Sequence, residues 1–530
     1  MEAIPNVSMK SAFILFNPMF WTEKRFLTIV IVGNLVLKII AVQFLELTND
    51  EVYYWTYALF PDVSHFDHPP FVGFIIQLFT LNLTFDSVFF IRLGALVLAT
   101  ANLLILYYTV KKLFGQLAGM FSVLLFTSSV YLNFITGFAI LPDTPLIFFL
   151  FLAYWYLLPA LINRHPDKGA DMAIIAAGFF IGLAFLCKYH ALYVWVGIGL
   201  YVLLHNRVWL GRPSFYIAGI ITLLLTIPVL YWNFKNQFIS FTFHENRVGF
   251  SFSSLDWWSF LRYHLVQVVY HNPVLYIMFI MSIVWMIRTR QKQPVYGLLL
   301  YLSVPLIVGF GLVSFSKTVL PHWSGPAYIG ILMLTASYLS KRYSNRPKTV
   351  QSLVAGANSL FILALLASFL IINKGIGNKQ KEVQPDRLGK NDITLDMYGW
   401  QQLAVLFDGF LSRHGIGESA KVKLVTSKWF PAAHVDYYVA YPRNIELYCI
   451  GSLKDIHKYH WINQQRSPIL ATDSVYYITT SQYFKSADYL AGEYFEQVTP
   501  VDTLTIARNG LNVKNFFIYR LNGFTGRSLP

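Results

Sequence analysis

The chain is dominated by long apolar runs broken by short polar loops. Eleven runs approach the roughly 20 residues that cross a bilayer: 26–46, 86–110, 117–135, 144–162, 171–187, 190–205, 214–233, 265–287, 294–314, 323–340 and 350–372. The first is too long, and lacks the small-residue cleavage pattern, for a removable signal peptide. No repeat of fixed period is visible. After residue 372 the pattern changes. A linker rich in Gly, Lys and Gln spans 373–390, and Trp400, Leu403, Leu406, Phe407 and Phe410 then recur at helical spacing. Short β-type runs follow at Lys421–Thr426, Ile445–Ile450 and Val475–Thr480, then near Val498–Ala507 and Phe516–Leu521, with helical stretches such as Ala432–Val439 between the early ones. The reading is a polytopic α-helical membrane domain over 1–372 and a soluble α/β domain over 391–530.

Composition supports this division. The 530 residues are 55% hydrophobic and 13% charged, against roughly 25% charged in soluble domains, which excludes most soluble enzymes and disordered proteins. The net charge of +14 suggests an acidic partner, but its distribution reports topology instead. With the N-terminus in the cytoplasm, sixteen of the twenty-three Lys and Arg residues of 1–371 fall in inside segments, from Lys10, Lys24 and Arg25 to Lys341, Arg342, Arg346 and Lys348. An odd number of spans then puts the tail outside, and no nucleic-acid partner is required. Cys187 and Cys449 are too few for a disulfide framework or a cysteine zinc site.

The informative charges collect on the opposite, outer side. The first outer loop, 47–70, carries Asp50, Glu51, Asp62 and Asp67 with no Lys or Arg. Asp143 opens a later helix, and Lys188, His244, Arg247, Lys317 and His322 stand in other outer loops. Carboxylates can accept a proton from an attacking hydroxyl, and cations can offset charge on a departing phosphate. Carboxylate plus imidazole could also hold a divalent cation there. Simpler readings exist for each: Asp50, Asp67 and Asp143 as helix caps, Lys188 as a snorkelling side chain, and Arg92 as the structural partner of the acidic loop. Those readings scatter such residues over both faces, whereas here they concentrate on one.

The first-loop sequence Asn-Asp-Glu-Val-Tyr-Tyr-Trp (49–55), followed by Phe-Asp-His-Pro-Pro (66–70), resembles that of the bacterial polyprenol-phosphate-sugar glycosyltransferases of the GT-C fold. These are relatives of the protein O-mannosyltransferases and of the lipid A aminoarabinose transferase. Asp143-Thr144-Pro145-Leu146, Lys188-Tyr189 and His322-Trp323 with Pro326-Ala327-Tyr328 look like later family elements. The resemblance implies Asp50 as catalytic base with Glu51 beside it, and Asp143 as a second site carboxylate. It implies phosphate or substrate contacts for His68, Lys188, Tyr189 and His322, to which the charge pattern of the outer side adds Arg92, Arg247 and Lys317, and it implies a metal-contacting or supporting role for Asp67, with His244 contributing to a metal site. His68 stands where the aminoarabinose enzyme has Lys, which makes phosphate contact there pH-sensitive. The implied activity is inverting sugar transfer from a polyprenyl phosphate to lipopolysaccharide, another envelope glycan or a protein, on the outer face of a bacterial inner membrane, without an organic cofactor. The rival class is a transporter or flippase of lipid-linked sugars. It needs charges along a membrane path, and only Lys38 lies near mid-span.

Overall fold

The computed structural model describes residues 22–249, 255–376, 384–417 and 421–530. Lys10 and part of the 373–390 linker lie outside them. The chain falls into two compact units. One takes the described parts of Met1–Ile40, His68–Thr80 and Arg92–Ala364, and the other takes Ala41–Asp67, Leu81–Ile91 and Leu365–Pro530.

The first unit is a helical bundle with an apolar core that includes Leu124, Phe126, Leu150, Phe151, Ile181, Leu299 and Leu332. Across the described residues, seven helices are long and apolar enough to cross a membrane: Glu23–Phe44, Val88–Phe114, Asp143–Ile162, Lys168–Phe185, Pro213–Lys235, Pro294–Val313 and Pro347–Lys374. Trp257–Tyr270 and Pro273–Arg288 make an eighth if counted together, although they meet at 104°. The bend has a local cause. Asn272, at φ 75°, caps the second helix ahead of Pro273, and its amide donates to the carbonyls of Ser128 (3.0 Å) and Ala357 (2.7 Å).

Three of the eleven apolar runs are thus shorter helices. Run 117–135 divides into Gln116–Ser128 and a wide turn at Val130–Ile135, where Ser129 accepts from the Leu132 amide. Run 190–205 begins as a tight turn before Tyr193–His205. Run 323–340 becomes helical only at Tyr328. Close helix approach uses glycine, as in other membrane bundles: a Cβ on Gly178 would lie 2.4 Å from the Ala218 carbonyl.

The second unit holds a five-stranded sheet in the order β2-β1-β3-β5-β4. Its strands are β1 Val422–Ser427, β2 Glu446–Ile450, β3 Ser474–Thr480, β4 Phe495–Arg508 and β5 Leu511–Phe524. β1 pairs in parallel with β2 and β3, in registers such as Val425↔Tyr448 and Leu424↔Tyr476. β5 is antiparallel to both β3 and β4. The parallel strands are almost wholly buried beyond their first residues, as a sheet covered on both faces requires. All five strands fall where the sequence pattern places them. The same unit contains the first outer loop with its helix Asn49–Leu59.

Candidate active site

In the second unit the acidic loop is built on a helix start. Thr48 is the N-cap of Asn49–Leu59: its hydroxyl accepts the Glu51 amide (3.2 Å), and Glu51 Oε2 accepts the Thr48 amide (2.9 Å). This reciprocal pair is a capping box, and it gives the buried Glu51 a structural duty. Asp50 is not the cap. It lies exposed in the first helical turn, where the helix dipole favours a carboxylate. Asp67 is buried, and its Oδ1 accepts from Tyr53 (3.0 Å) and from Tyr57. Burial, with the Asp67 charge beside them, pushes both phenols well above their ordinary range, so they stay protonated and donating.

The tail completes this loop. Lys458 Nζ donates to the carbonyls of Thr56 (3.1 Å) and Phe60 (2.5 Å) at the end of the loop helix and lies 4.5 Å from the Tyr57 ring centre. The Lys458 amide donates to Tyr53 Oη (3.3 Å). Burial drives the Lys458 ammonium well down, opposed by Asp62 and Asp67. At the other helix end His434 Nε2 pairs with Asn49 Oδ1 (2.9 Å), and its ring stacks on Trp400 at 4.1 Å and 1°.

In the first unit, Asp143 is the first residue of its helix, and both its oxygens are engaged. Oδ2 accepts Lys188 Nζ at 2.7 Å, with both side chains 4% exposed, and Oδ1 accepts Tyr131 Oη at 2.8 Å. Lys188 follows the end of Lys168–Phe185 in extended conformation, so the end of the helix sets its side chain toward Asp143. Around this pair stand His68, His190, His244, Arg247 and His322. The His68 and His244 ring centres are 6.0 Å apart, and those of Tyr189 and His244 are 5.2 Å apart. The Arg247 guanidinium lies 5.1 Å from the Trp323 ring centre. Burial first, then Lys188, then His244, His322 and Arg247 hold His68 well below the usual imidazole range. Burial, with Lys188 and Arg247 against Asp143, takes His322 down to about 3. His68 and His322 are therefore neutral hydrogen-bonding groups at neutral pH, beside the Lys188 and Arg247 side chains.

The structure thus brings His68, Lys188, Tyr189, Arg247, His322, His244 and Asp143 together in one unit. Asp50, Glu51 and Asp67 come together in the other. Arg92 is fully buried, with its guanidinium 4.5 Å from the Phe138 ring centre. Lys317 follows the end of Val304–Val313 and makes no ion pair among the described residues. Among these residues no group of three or more His, Cys, Asp or Glu side chains is placed to hold a metal. One Asp67 oxygen serves two tyrosines. Sequence reasoning overlooked Tyr53, Tyr57, Tyr131, His190, Lys458 and His434. Only the tyrosine pair had a local signal, its i,i+4 spacing beside an acidic loop.

Residues 67–232 match the family described as dolichyl-phosphate-mannose-protein mannosyltransferase. The chain is 23% identical over 323 residues to the lipid A galacturonosyltransferase RgtD of Rhizobium johnstonii, a match covering 60% of this chain and 66% of that protein. It superposes on apo ArnT from Cupriavidus metallidurans with a TM-score of 0.61 at 12% identity, covering 93% of this chain and 98% of that one. The chain is a relative of the GT-C glycosyltransferases. The resemblance carried by the first-loop motif is borne out, as is the fold it implied. ArnT bound to undecaprenyl phosphate gives a TM-score of 0.62 at 14% identity, covering 93% and 97% of the two chains. The GT-C architecture therefore extends through the tail as well as the helical bundle.

Proposed function

We propose that this protein transfers a sugar from a polyprenyl phosphate to a lipid-anchored envelope glycan, with lipid A the first acceptor to test. The observation that carries this reading is the buried Lys188–Asp143 pair ringed by His68, His244, Arg247 and His322. Such a group offers a fixed ammonium, a guanidinium and neutral imidazole N–H groups to a phosphate leaving group. Both Asp143 oxygens are engaged, so its part is to hold Lys188. The exposed Asp50 is the base that takes the proton of the acceptor hydroxyl or amine. The acceptor attacks the anomeric carbon opposite the phosphate, the C–O bond to the phosphate breaks, and the configuration inverts. The reaction takes place at the extracytoplasmic face. The names of RgtD and of the undecaprenyl-phosphate complex of ArnT support the acceptor and the donor class.

The test uses purified full-length protein in detergent with an undecaprenyl-phosphate sugar and lipid A. Turnover without membrane compartments excludes a pure transporter. Asp50→Asn is expected to lower kcat by about 10²-fold or more, the scale of general base catalysis, while donor KM is retained. An undiminished rate in Asp50→Asn overturns the base assignment.

A further inference from the structure

A cavity of about 460 Å³ lies in the second unit, bounded by Gln43 and Phe44, Phe89, Asn373 and Gln401. Gln43 and Phe44 end the helix Glu23–Phe44, Phe89 begins Val88–Phe114, and Asn373 closes Pro347–Lys374. Three apolar helices end or begin around it, so it opens at the level of lipid headgroups rather than in the hydrocarbon. Its size is within the range of small-ligand sites, roughly 300–1,000 Å³.

Four of the polar side chains of this cavity are amides, those of Gln43, Asn373, Gln401 and Gln402, beside the hydroxyls of Ser87 and Tyr398. Its one acid, Glu46, is committed: its two oxygens accept the backbone N–H groups of Trp400 and Gln401, each at 2.9 Å. Among the described residues no Lys or Arg lines it. Gln402 and Tyr398 are tied to the Ala507 carbonyl at 3.0 and 3.2 Å. Gln43 and Gln401 are exposed, and Phe44 is 56% exposed, edge-on to Phe369. The Lys514 ammonium, whose charge reaches Glu46, is turned to the carbonyls of Leu395 and Tyr398, each at 2.9 Å, so no cation of the cavity wall faces a phosphate. Paired amides supply donors and acceptors matched to sugar hydroxyls, and aromatic faces suit the C–H surface of a sugar ring.

We propose that this cavity holds the hydroxyl-bearing edge of a sugar ring of a membrane glycolipid, with any phosphate of that glycolipid outside it, as a docking subsite for the acceptor. The proposal rests on the reading of the acceptor as a lipid-anchored glycan.

Two experiments on the full-length protein test it. In the first, Gln401 is replaced by the photoreactive p-benzoylphenylalanine. The protein is then placed in nanodiscs of phosphatidylethanolamine, phosphatidylglycerol and lipid A, illuminated and analysed by mass spectrometry. Adducts bearing lipid A, undiminished by excess free maltose, are expected. Adducts with phospholipid alone overturn the proposal, and loss of adducts to maltose reassigns the cavity to soluble sugars. In the second, Gln43→Trp fills the cavity from an exposed helix position. Acceptor KM is expected to rise about fivefold, the value of one hydrogen bond, with donor KM and kcat unchanged. An unchanged acceptor KM in correctly folded protein overturns the proposal. The crosslink needs no turnover, so loss of the Asp50 reading would leave its outcome readable.

Discussion

At the scale of single residues, the chemistry here depends on how charge is paired in places without water. Lys188 and Asp143 are each 4% exposed and 2.7 Å apart. Removing one partner strands the other, which costs about 3–5 kcal/mol, while removing both is far milder. Asp143→Asn is therefore expected to unfold at lower temperature than Asp143→Asn/Lys188→Met, as measured by thermal unfolding in detergent. Equal destabilisation would mean that Lys188 has another buried countercharge. Several of these residues were legible in the sequence because charge is scarce in this chain. Their protonation was not. The resemblance puts His68 at the place of a phosphate-facing cation, yet burial beside Lys188 and Arg247 holds its imidazole well below the usual range. Sequence spacing does not report how close two cations from different loops will come.

At the scale of elements, periodicity and composition located all five strands and most helices. They missed what interrupts a helix. The bend at Asn272 comes from a side chain that bonds two distant carbonyls, and an apolar run carries no trace of such a bond. The helix Asn49–Leu59 is a similar case. The sequence reading offered Asp50 as its cap, whereas the cap is Thr48 with Glu51, and its other supports, His434 and Lys458, come from the tail. His434 is fully buried, and burial, with Lys514 nearby, holds its imidazole well below the usual value. A histidine kept neutral in the folded state adds stability that is fully present above its unfolded pKa of about 6.5. That stability is lost as pH falls below this value, by up to about 1.4 kcal/mol per pH unit while only the unfolded chain takes the proton. The full-length protein is expected to lose thermal stability between pH 6.5 and 5. His434→Phe keeps a ring over Trp400 and should reduce that slope, with the other buried histidines, among them His65, His68 and His322, contributing the remainder. An identical slope in the variant would remove His434 from the account.

At the scale of the whole molecule, the first outer loop shares a compact unit with the tail, whereas Asp143 and Lys188 belong to the other unit. A chain ended after Lys374 keeps His68, Lys188, Arg247 and His322 but loses every tail contact to the loop helix. It is expected to retain undecaprenyl phosphate in native mass spectrometry and to have no transferase activity. Activity in that truncation would show that the tail is dispensable for the loop. The order of elements along the chain was readable. The assignment of residues 41–67 to a unit completed hundreds of residues later was not, because hydrophobic pattern describes neighbours in sequence and not partners in space.

The bond from the Lys458 amide to Tyr53 joins residues 405 positions apart. During synthesis at about 5–20 residues per second, the loop helix emerges tens of seconds before the lysine that closes its last turn. Throughout that interval the nascent protein can already sit in the membrane, but the loop bearing Asp50 is unfinished. Only a chain translated past Lys458 has its acidic loop assembled, so a ribosome that stalls before it leaves an inert fragment and not an unregulated transferase.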